Sequence, residues 1–438
     1  MIAPDEAHDP WLQKMRAAWE GDARTWLAVN ERLRDAIVDH AARHCGYHRR
    51  TVARANREFE RIPILTRSIV RERFEALLAD DVPARRLVRR ATSGSTGEPI
   101  TFFRDRSQGP IEEGSAQRFL RWLHGVPERA VKVWITAYPE DEKAHPVSTI
   151  GLTPRAVAEQ LDVWSTFSVY FVYGNASAID WIASLIEERG FALRRPERVI
   201  TTSDMLTRPA AERIVRVFGC PVTSWYGSHE FNGFLAGTVP GSERYAFNPL
   251  LAYVEVLNDD GRPVPPGETG RLVVTDLNNY VFPLIRYDTG DLATASHDHS
   301  IGGWRLVERI DGRSSETLRL PGDRVLSPVT LGQVLFYRGD LAHKVRSFQC
   351  AQVRPDALEL RIVWGGAASP ADREGLRDGL RSAVGHETEV IVVDADRPDL
   401  LPSGKAWIVR SDVVDVAAHA AGTVATPDDA IARSRTHG

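Results

Sequence analysis

Residues 197–227, ERVITTSDMLTRPAAERIVRVFGCPVTSWYG, carry the pattern that decides the fold. ERVITTSD reads as a β-branched strand, and PVTSWYG reads as a second one. Between them Ala211, Ile214, Val215 and Phe218 share one face of a helix beginning near Pro209, and Gly219 is placed to end it. Strand, helix, strand at this spacing is a βαβ unit, which predicts parallel pairing and an α/β core.

Working outward, Val131–Tyr138 reads as a buried strand, and Ala178–Arg189 as a helix closed by Gly190. Residues 11–90 read as helices, with Trp26, Leu33, Ile37 and Ala41 at helical spacing and a second run, Arg67–Asp80, after the break at Pro63. They are expected to cap a sheet. From 250 to 310 the character changes: AYVEVLNDDG, GRLVVTDL and WRLVERIDG predict short strands separated by Asp-Gly and Pro-Gly turns. Beyond Gly312 a smaller α/β pattern follows. There Leu358, Leu360 and Ile362 alternate with charged residues, Leu376, Leu380 and Val384 recur at helical spacing, and EVIVV is a further strand. The expected architecture is therefore α/β: a large N-terminal domain over 1–312 with mixed sheets and helices, and a small α+β C-terminal domain over 313–438. The tail from about Ala417 is expected to be loose.

The 438 residues are 43 % hydrophobic and 26 % charged, which excludes a mainly disordered chain and a coiled coil. No stretch reaches the about 18 uninterrupted apolar residues of a membrane span. The N-terminus lacks the basic start and apolar core of a secretory signal, so a cytoplasmic protein without a membrane partner is expected. Cys45, Cys220 and Cys350 stand far apart, which argues against a disulfide framework or a zinc cluster. A net charge of −4 and a pI near 6.4 argue against a nucleic-acid partner. Of 55 basic residues only Lys14, Lys132, Lys143, Lys344 and Lys405 are lysines, which singles out one set in a glycine turn.

Several segments could carry chemistry. Ala91-Thr-Ser-Gly-Ser-Thr-Gly-Glu-Pro99, between the strand-like LVRR and ITFFR, offers backbone N–H and hydroxyl donors suited to phosphate, although a flexible linker would read the same. It is not a Walker loop, which ends Gly-Lys-Ser/Thr. Trp225-Tyr-Gly-Ser-His-Glu230 sets aromatics and a carboxylate behind a strand, either as a base-stacking face with a Mg²⁺ ligand or as a strand-end turn with core aromatics. In Pro283-Leu-Ile-Arg-Tyr-Asp-Thr-Gly-Asp-Leu292, Asp288 and Asp291 flank a Thr-Gly turn expected at a strand end. A carboxylate there could accept from a ribose diol, with Arg286 offsetting negative charge, or simply close an Asx turn. Arg309-Ile-Asp-Gly-Arg-Ser-Ser315 marks a junction, and Leu401-Pro-Ser-Gly-Lys-Ala-Trp407 places Lys405 in a turn.

In this order, the five segments resemble the adenylate-forming superfamily of acyl-CoA synthetases, peptide-synthetase adenylation domains and luciferases. IPILTRSIVRERF, TSGSTGEP and FPLIRYDTGD make the chain most similar to the phenylacetate–CoA ligase family, over roughly residues 25–415. The resemblance implies that Ser93, Gly94, Ser95, Thr96 and Gly97 hold the ATP triphosphate. It implies that Tyr226 stacks on adenine near Ser203 and Asp204, with Gly227, Ser228 and His229 completing that turn. Glu230 would bind Mg²⁺, Asp291 the ribose and Arg313 the nucleotide, while Lys405 would bridge the carboxylate and the α-phosphate. The C-terminal domain would be mobile, hinged at Ser315. Three positions depart from the usual pattern: Glu98 replaces a lysine, His229 a threonine, and Ser315 an aspartate or lysine.

The implied reaction activates a small, aryl carboxylic acid as acyl-AMP and transfers the acyl group to CoA. A stand-alone adenylating enzyme serving a separate carrier protein or an amine is the alternative, and a non-catalytic nucleotide-binding protein the remote one. A homodimer is compatible with either. Trp164, Phe167, Tyr173 and Phe231, with neighbouring aromatics, would line the acyl pocket or form an aromatic core.

Overall fold

In the computed structural model, the residues described are 9–91, 101–106, 109–136, 144–148, 154–202, 205–231, 234–313, 318–320, 324–326, 344–385, 387–399, 407, 409–411 and 413. The chain begins in helices whose starts are written in their caps. Asp9 accepts the N–H groups of Trp11 and Leu12 at the head of α1 (Pro10–Glu20), and Asp22 accepts that of Thr25 in α2 (Ala23–His44). α3 (Gly46–Arg54) follows. Thr66 then caps α4 (Arg67–Glu72) by accepting from Ile69 N–H, and α5 is Phe74–Leu77. Val38, Ala41, Cys45 and Val52 bury against Ile285, so these helices cap the sheet as their apolar spacing predicts.

β1 (Leu87–Ala91) and β2 (Thr101–Asp105) form an antiparallel pair in the register Ala91↔Thr101, so the Ser/Gly-rich segment connects two strands. α6 (Gly109–Leu123) is pinned to α1, because Asp9 also accepts hydrogen bonds from Ser115 and Arg118.

The main sheet is built from β3 (Val131–Thr136), β4 (His145–Ser148), β5 (Tyr170–Asn175), β6 (Val199–Thr202), β7 (Val222–Tyr226), β8 (Ala236–Thr238), β9 (Tyr245–Phe247), β10 (Ala252–Leu257), β11 (Thr269–Asp276), β12 (Tyr287–Ile301) and β13 (Trp304–Arg313). Its order is β10-β11-β12-β13-β9-β8-β7-β6-β5-β3-β4. From β4 to β7 the pairing is parallel; from β7 to β10 it is antiparallel. α7 (Pro154–Ser165), α8 (Ala176–Arg189) and α9 (Arg208–Phe218) pack against the parallel half through Leu161, Ile182, Ile186, Ile214 and Phe218. Gly190 and Gly219, at φ 64° and 66°, end α8 and α9 in the left-handed conformation that favours glycine.

One expectation is corrected here. The Thr-Gly pair of the RYDTGDL segment lies inside β12 rather than in a turn at a strand end. Gly290, at φ 80°, bulges that strand: Asp288 lies opposite Val273 and Leu292 opposite Arg271.

After Arg313 the remaining strands belong to other sheets. β14 (Leu318–Leu320) pairs with β15 (Arg324–Leu326), while β16 (Val345–Arg354), β17 (Ala357–Trp364), β18 (Glu389–Asp394) and β19 (Val409–Ser411) form a mixed sheet in the order β18-β17-β16-β19. α10 (Pro370–Val384), started by a Ser369/Asp372 capping box, buries Leu376, Leu380 and Val384 against Leu358, Leu360 and Ile362. No helix among the described residues is long and apolar enough to cross a membrane. Ser315, the expected hinge, and the tail beyond 413 lie outside the described residues.

Candidate active site

Tyr226 ends β7, the last parallel strand, where the sheet switches to antiparallel pairing. Carboxyl ends of strands at such switches are where open α/β sheets bind ligands. Its hydroxyl donates to Asp291 Oδ2 at 2.5 Å. Burial and the neighbouring Asp291 carboxylate push the Tyr226 phenol well above its usual pKa, so it stays a donor. Asp291, on β12, lies directly opposite Arg313 of the neighbouring β13, which brings two candidate nucleotide contacts into one register.

The other aspartate of that segment behaves differently. Asp288 Oδ1 accepts from Gly290 N–H at 2.9 Å, an Asx turn, and Oδ2 faces Arg271 at 3.3 Å. Nor does Arg286 serve either aspartate. It is buried, pairs with Glu255 at 2.9 Å, and donates to the carbonyl oxygen of Ile62 at 2.8 Å. Its charge therefore supports the fold behind the strand.

Glu230 lies beyond Tyr226 in a 3₁₀ turn, His229–Phe231, and is buried. Its Oε1 accepts from Arg67 at 3.1 Å and from the Tyr287 hydroxyl at 3.2 Å, while its backbone carbonyl accepts from Arg104. These partners have local causes. Leu65 bridges Tyr287 in parallel, with Leu65 N–H donating to Arg286 O and Asp288 N–H to Leu65 O, so the IPILTRS segment docks on β12 and delivers Arg67. Arg104, on β2, also pairs with Asp276 at 3.0 Å. The hairpin carrying the Ser/Gly-rich segment is thereby anchored beside Glu230. No local pattern marks Arg67 and Arg104 as partners of Glu230, because their partnership spans 163 and 126 positions.

Two observations bear on ligands. Ser228 Oγ is shielded from solvent without a hydrogen-bond partner among the described residues. Glu230 Oε2 likewise has no hydrogen-bond partner among the described residues, whereas Oε1 has two. A single carboxylate oxygen of this kind fits Mg²⁺, which is held by one or two carboxylates with substrate phosphates and water. The three thiols offer no nucleophile: burial pushes Cys45 and Cys350 up to about 12 and Cys220 to about 11.

The four expected pocket aromatics are not brought together. Trp164, on α7, and Phe167 pack with Tyr170 on one face of β5, whereas Tyr173, of opposite parity along the strand, stands 5.2 Å from Trp225. Phe231 packs edge-on against Tyr287 at 5.7 Å. Ser93, Gly94, Ser95, Thr96, Gly97, Glu98, Ser203, Asp204 and Lys405 lie outside the described residues, as do the side chains of His229 and Arg313.

Compared with solved structures, the chain superposes on 2-hydroxyisobutyryl-CoA ligase in its postadenylation state, in complex with R3-HIB-AMP, with a TM-score of 0.73. That match covers 96 % of this chain and 97 % of that one at 18 % identity. This chain has the fold of the acyl-CoA ligases. The same ligase in its thioesterification state, with 2-HIB-AMP and CoA, gives 0.59 over 97 % and 98 % at 18 % identity. The anthranilate CoA ligase AuaEII in complex with anthranoyl-AMP gives 0.55 over 79 % and 73 % at 14 % identity. In sequence, the acyl-CoA ligase fold found here is similar to phenylacetate-coenzyme A ligase of Escherichia coli (strain K12), 29 % identical over 150 residues. That match spans 32 % of this chain and about a third, 34 %, of the relative's length. No family model matches.

Proposed function

We propose that the chain activates a small, aryl carboxylic acid with ATP as an acyl-adenylate and then transfers the acyl group to CoA. The observation that carries this reading is the convergence of Tyr226, Asp291 and Glu230 where the sheet changes from parallel to antiparallel. The fold shared with acyl-CoA ligases and the sequence similarity to phenylacetate-coenzyme A ligase support it.

A carboxylate resists nucleophiles because its charge repels them, and joining it to AMP supplies a leaving group. The transition state concentrates negative charge on the α-phosphate, so positioning and preorganised cations dominate. In this reading the Tyr226 ring flanks adenine, with Ser203 and Asp204 at its edge. Asp291, which accepts from Tyr226 at Oδ2, also accepts from the ribose hydroxyls. Ser93 to Gly97 hold the phosphates, Ser228 donates to an oxygen of the nucleotide, Arg313 contacts the nucleotide, and Lys405 bridges carboxylate and α-phosphate. Glu230 holds Mg²⁺, which when bound neutralises phosphate charge. The chain divides at 312/313 into two domains, and Ser315 serves as the hinge for the smaller one. Phe231 and Tyr173 remain candidates for the acyl pocket; Trp164 and Phe167 belong to the helix-side core.

Pyrophosphate release measured over a panel of aryl and aliphatic acids, with and without CoA, tests the reading. Acid-dependent release that continues to turn over with CoA supports it. Release that CoA leaves at a single turnover points to a carrier protein or an amine as acceptor, and acid-independent release counts against it.

A further inference from the structure

Away from this site, three ligand-bearing side chains meet where α2 ends. His40 and His44, four residues apart, share a face of that helix, with ring centroids 4.7 Å apart and planes at 33°. Asp81 lies just beyond α5, after two residues that are tied down: Asp80 N–H donates to His44 O and Ala79 N–H to Val281 O, each at 3.0 Å. One ligand atom from each of His40, His44 and Asp81 lies within 4.8 Å of the others.

The hydrogen bonds prepare both rings. His40 Nε2 stands 2.9 Å from the carbonyl oxygen of Tyr280. A carbonyl only accepts, so Nε2 carries the proton and Nδ1 of the neutral ring keeps its lone pair. Donation to a backbone carbonyl is how metal-bound histidines are commonly oriented. His44 Nδ1 faces Asp80 Oδ1 at 3.1 Å and Asp81 Oδ2 at 3.6 Å. A divalent cation at that nitrogen would be shared with the Asp81 carboxylate.

We propose that His40, His44 and Asp81 bind a zinc ion that clamps the end of α2 to the segment after α5. Two imidazoles and one carboxylate suit zinc, whereas Mg²⁺ prefers oxygen alone. The side chains of His44 and Asp81 are 31 % and 41 % exposed, so the ion enters from solvent and water completes its shell. The clamp bears on Tyr280 and Val281, which precede the segment carrying Asp291, and it does not depend on the adenylation reading.

The full chain, stripped with a chelator and titrated with Co²⁺, should take up one equivalent and develop the visible bands of a four-coordinate site, which Zn²⁺ then abolishes. His40→Ala/His44→Ala should lose the bands and bind zinc at least about tenfold more weakly against a chromophoric chelator. His44→Gln, which keeps a donor toward Asp80, should show the same loss should the double variant fail to fold. No stoichiometric uptake by the wild type, or undiminished zinc affinity in a folded variant, overturns the proposal.

Discussion

Tyr226 donates its phenolic hydrogen bond to Asp291 from a strand four places away in the same sheet: β8, β9 and β13 lie between β7 and β12. In a flat sheet that separation is about 19 Å, at roughly 4.8 Å per strand. The antiparallel half must therefore curl until β12 faces the end of β7, and in the concavity so formed Tyr226 and Asp291 meet.

Removing that carboxylate tests the ribose assignment. Hydrogen bonds to a charged group are worth roughly 1.5–3 kcal/mol, so Asp291→Ala should raise the ATP KM about tenfold or more. Steady-state kinetics on a variant with wild-type circular dichroism decides it, and an unchanged KM places the ribose elsewhere.

Arg67 and Glu230 make a different kind of pair. The Glu230 side chain is 4 % exposed, and Arg67→Ala leaves its carboxylate with Tyr287 as its remaining partner among the described residues. Because Arg67 is itself 21 % exposed, water softens the loss to about 1–3 kcal/mol. Urea midpoints should fall accordingly, and Arg67→Ala/Glu230→Gln should recover most of the loss by removing the stranded charge. A double variant no better than the single one would show that Arg67 matters through packing.

Arg286 separates fold from site. At φ 49° it is a non-glycine residue in the left-handed region, held there by Glu255, Ile62 and the Thr275 hydroxyl that accepts its N–H. Arg286→Met strands Glu255, whose side chain is only 12 % exposed, and should cost about 3 kcal/mol by chemical denaturation. The fraction that folds should keep the wild-type ATP KM; a raised KM would return Arg286 to the nucleotide.

The contrast between Asp288, Asp291 and Arg286 shows what the sequence could and could not tell. The βαβ unit, the helical cap, the flanks of the Ser/Gly segment and the C-terminal α/β pattern were legible, because periodicity and caps are local. Which of two aspartates closes a local Asx turn and which meets Tyr226 could not be read from the residues apart from the family resemblance, because that depends on the bulge at Gly290 and on the curl that brings Tyr226 near. The aromatic run around Trp164–Tyr173 left pocket and core both open for a related reason: alternate residues of β5 face opposite sides, and nothing local says which side holds a pocket.

Buried histidines set the response to acid. Desolvation lowers His48 and His124 to about 4 from the usual 6.5, so both stay neutral in the fold while the unfolded chain protonates below 6.5. The unfolded state then binds more protons, and stability is lost as pH falls from about 6.5 to 4, by up to roughly 3 kcal/mol for each. His48→Gln, retaining a donor for the carbonyl of Pro283, should give urea midpoints that fall less between pH 7 and 5. An identical slope would remove His48 from the account.

The central claim is acyl-adenylate chemistry, and the direct measurement is to follow ATP labelled in its α-phosphate across a panel of carboxylic acids by mass spectrometry. The account predicts an acid-dependent acyl-AMP bearing the label, formed with pyrophosphate and discharged to AMP when CoA is added. Label recovered as ADP, or no adduct with any acid from a folded protein, would contradict it.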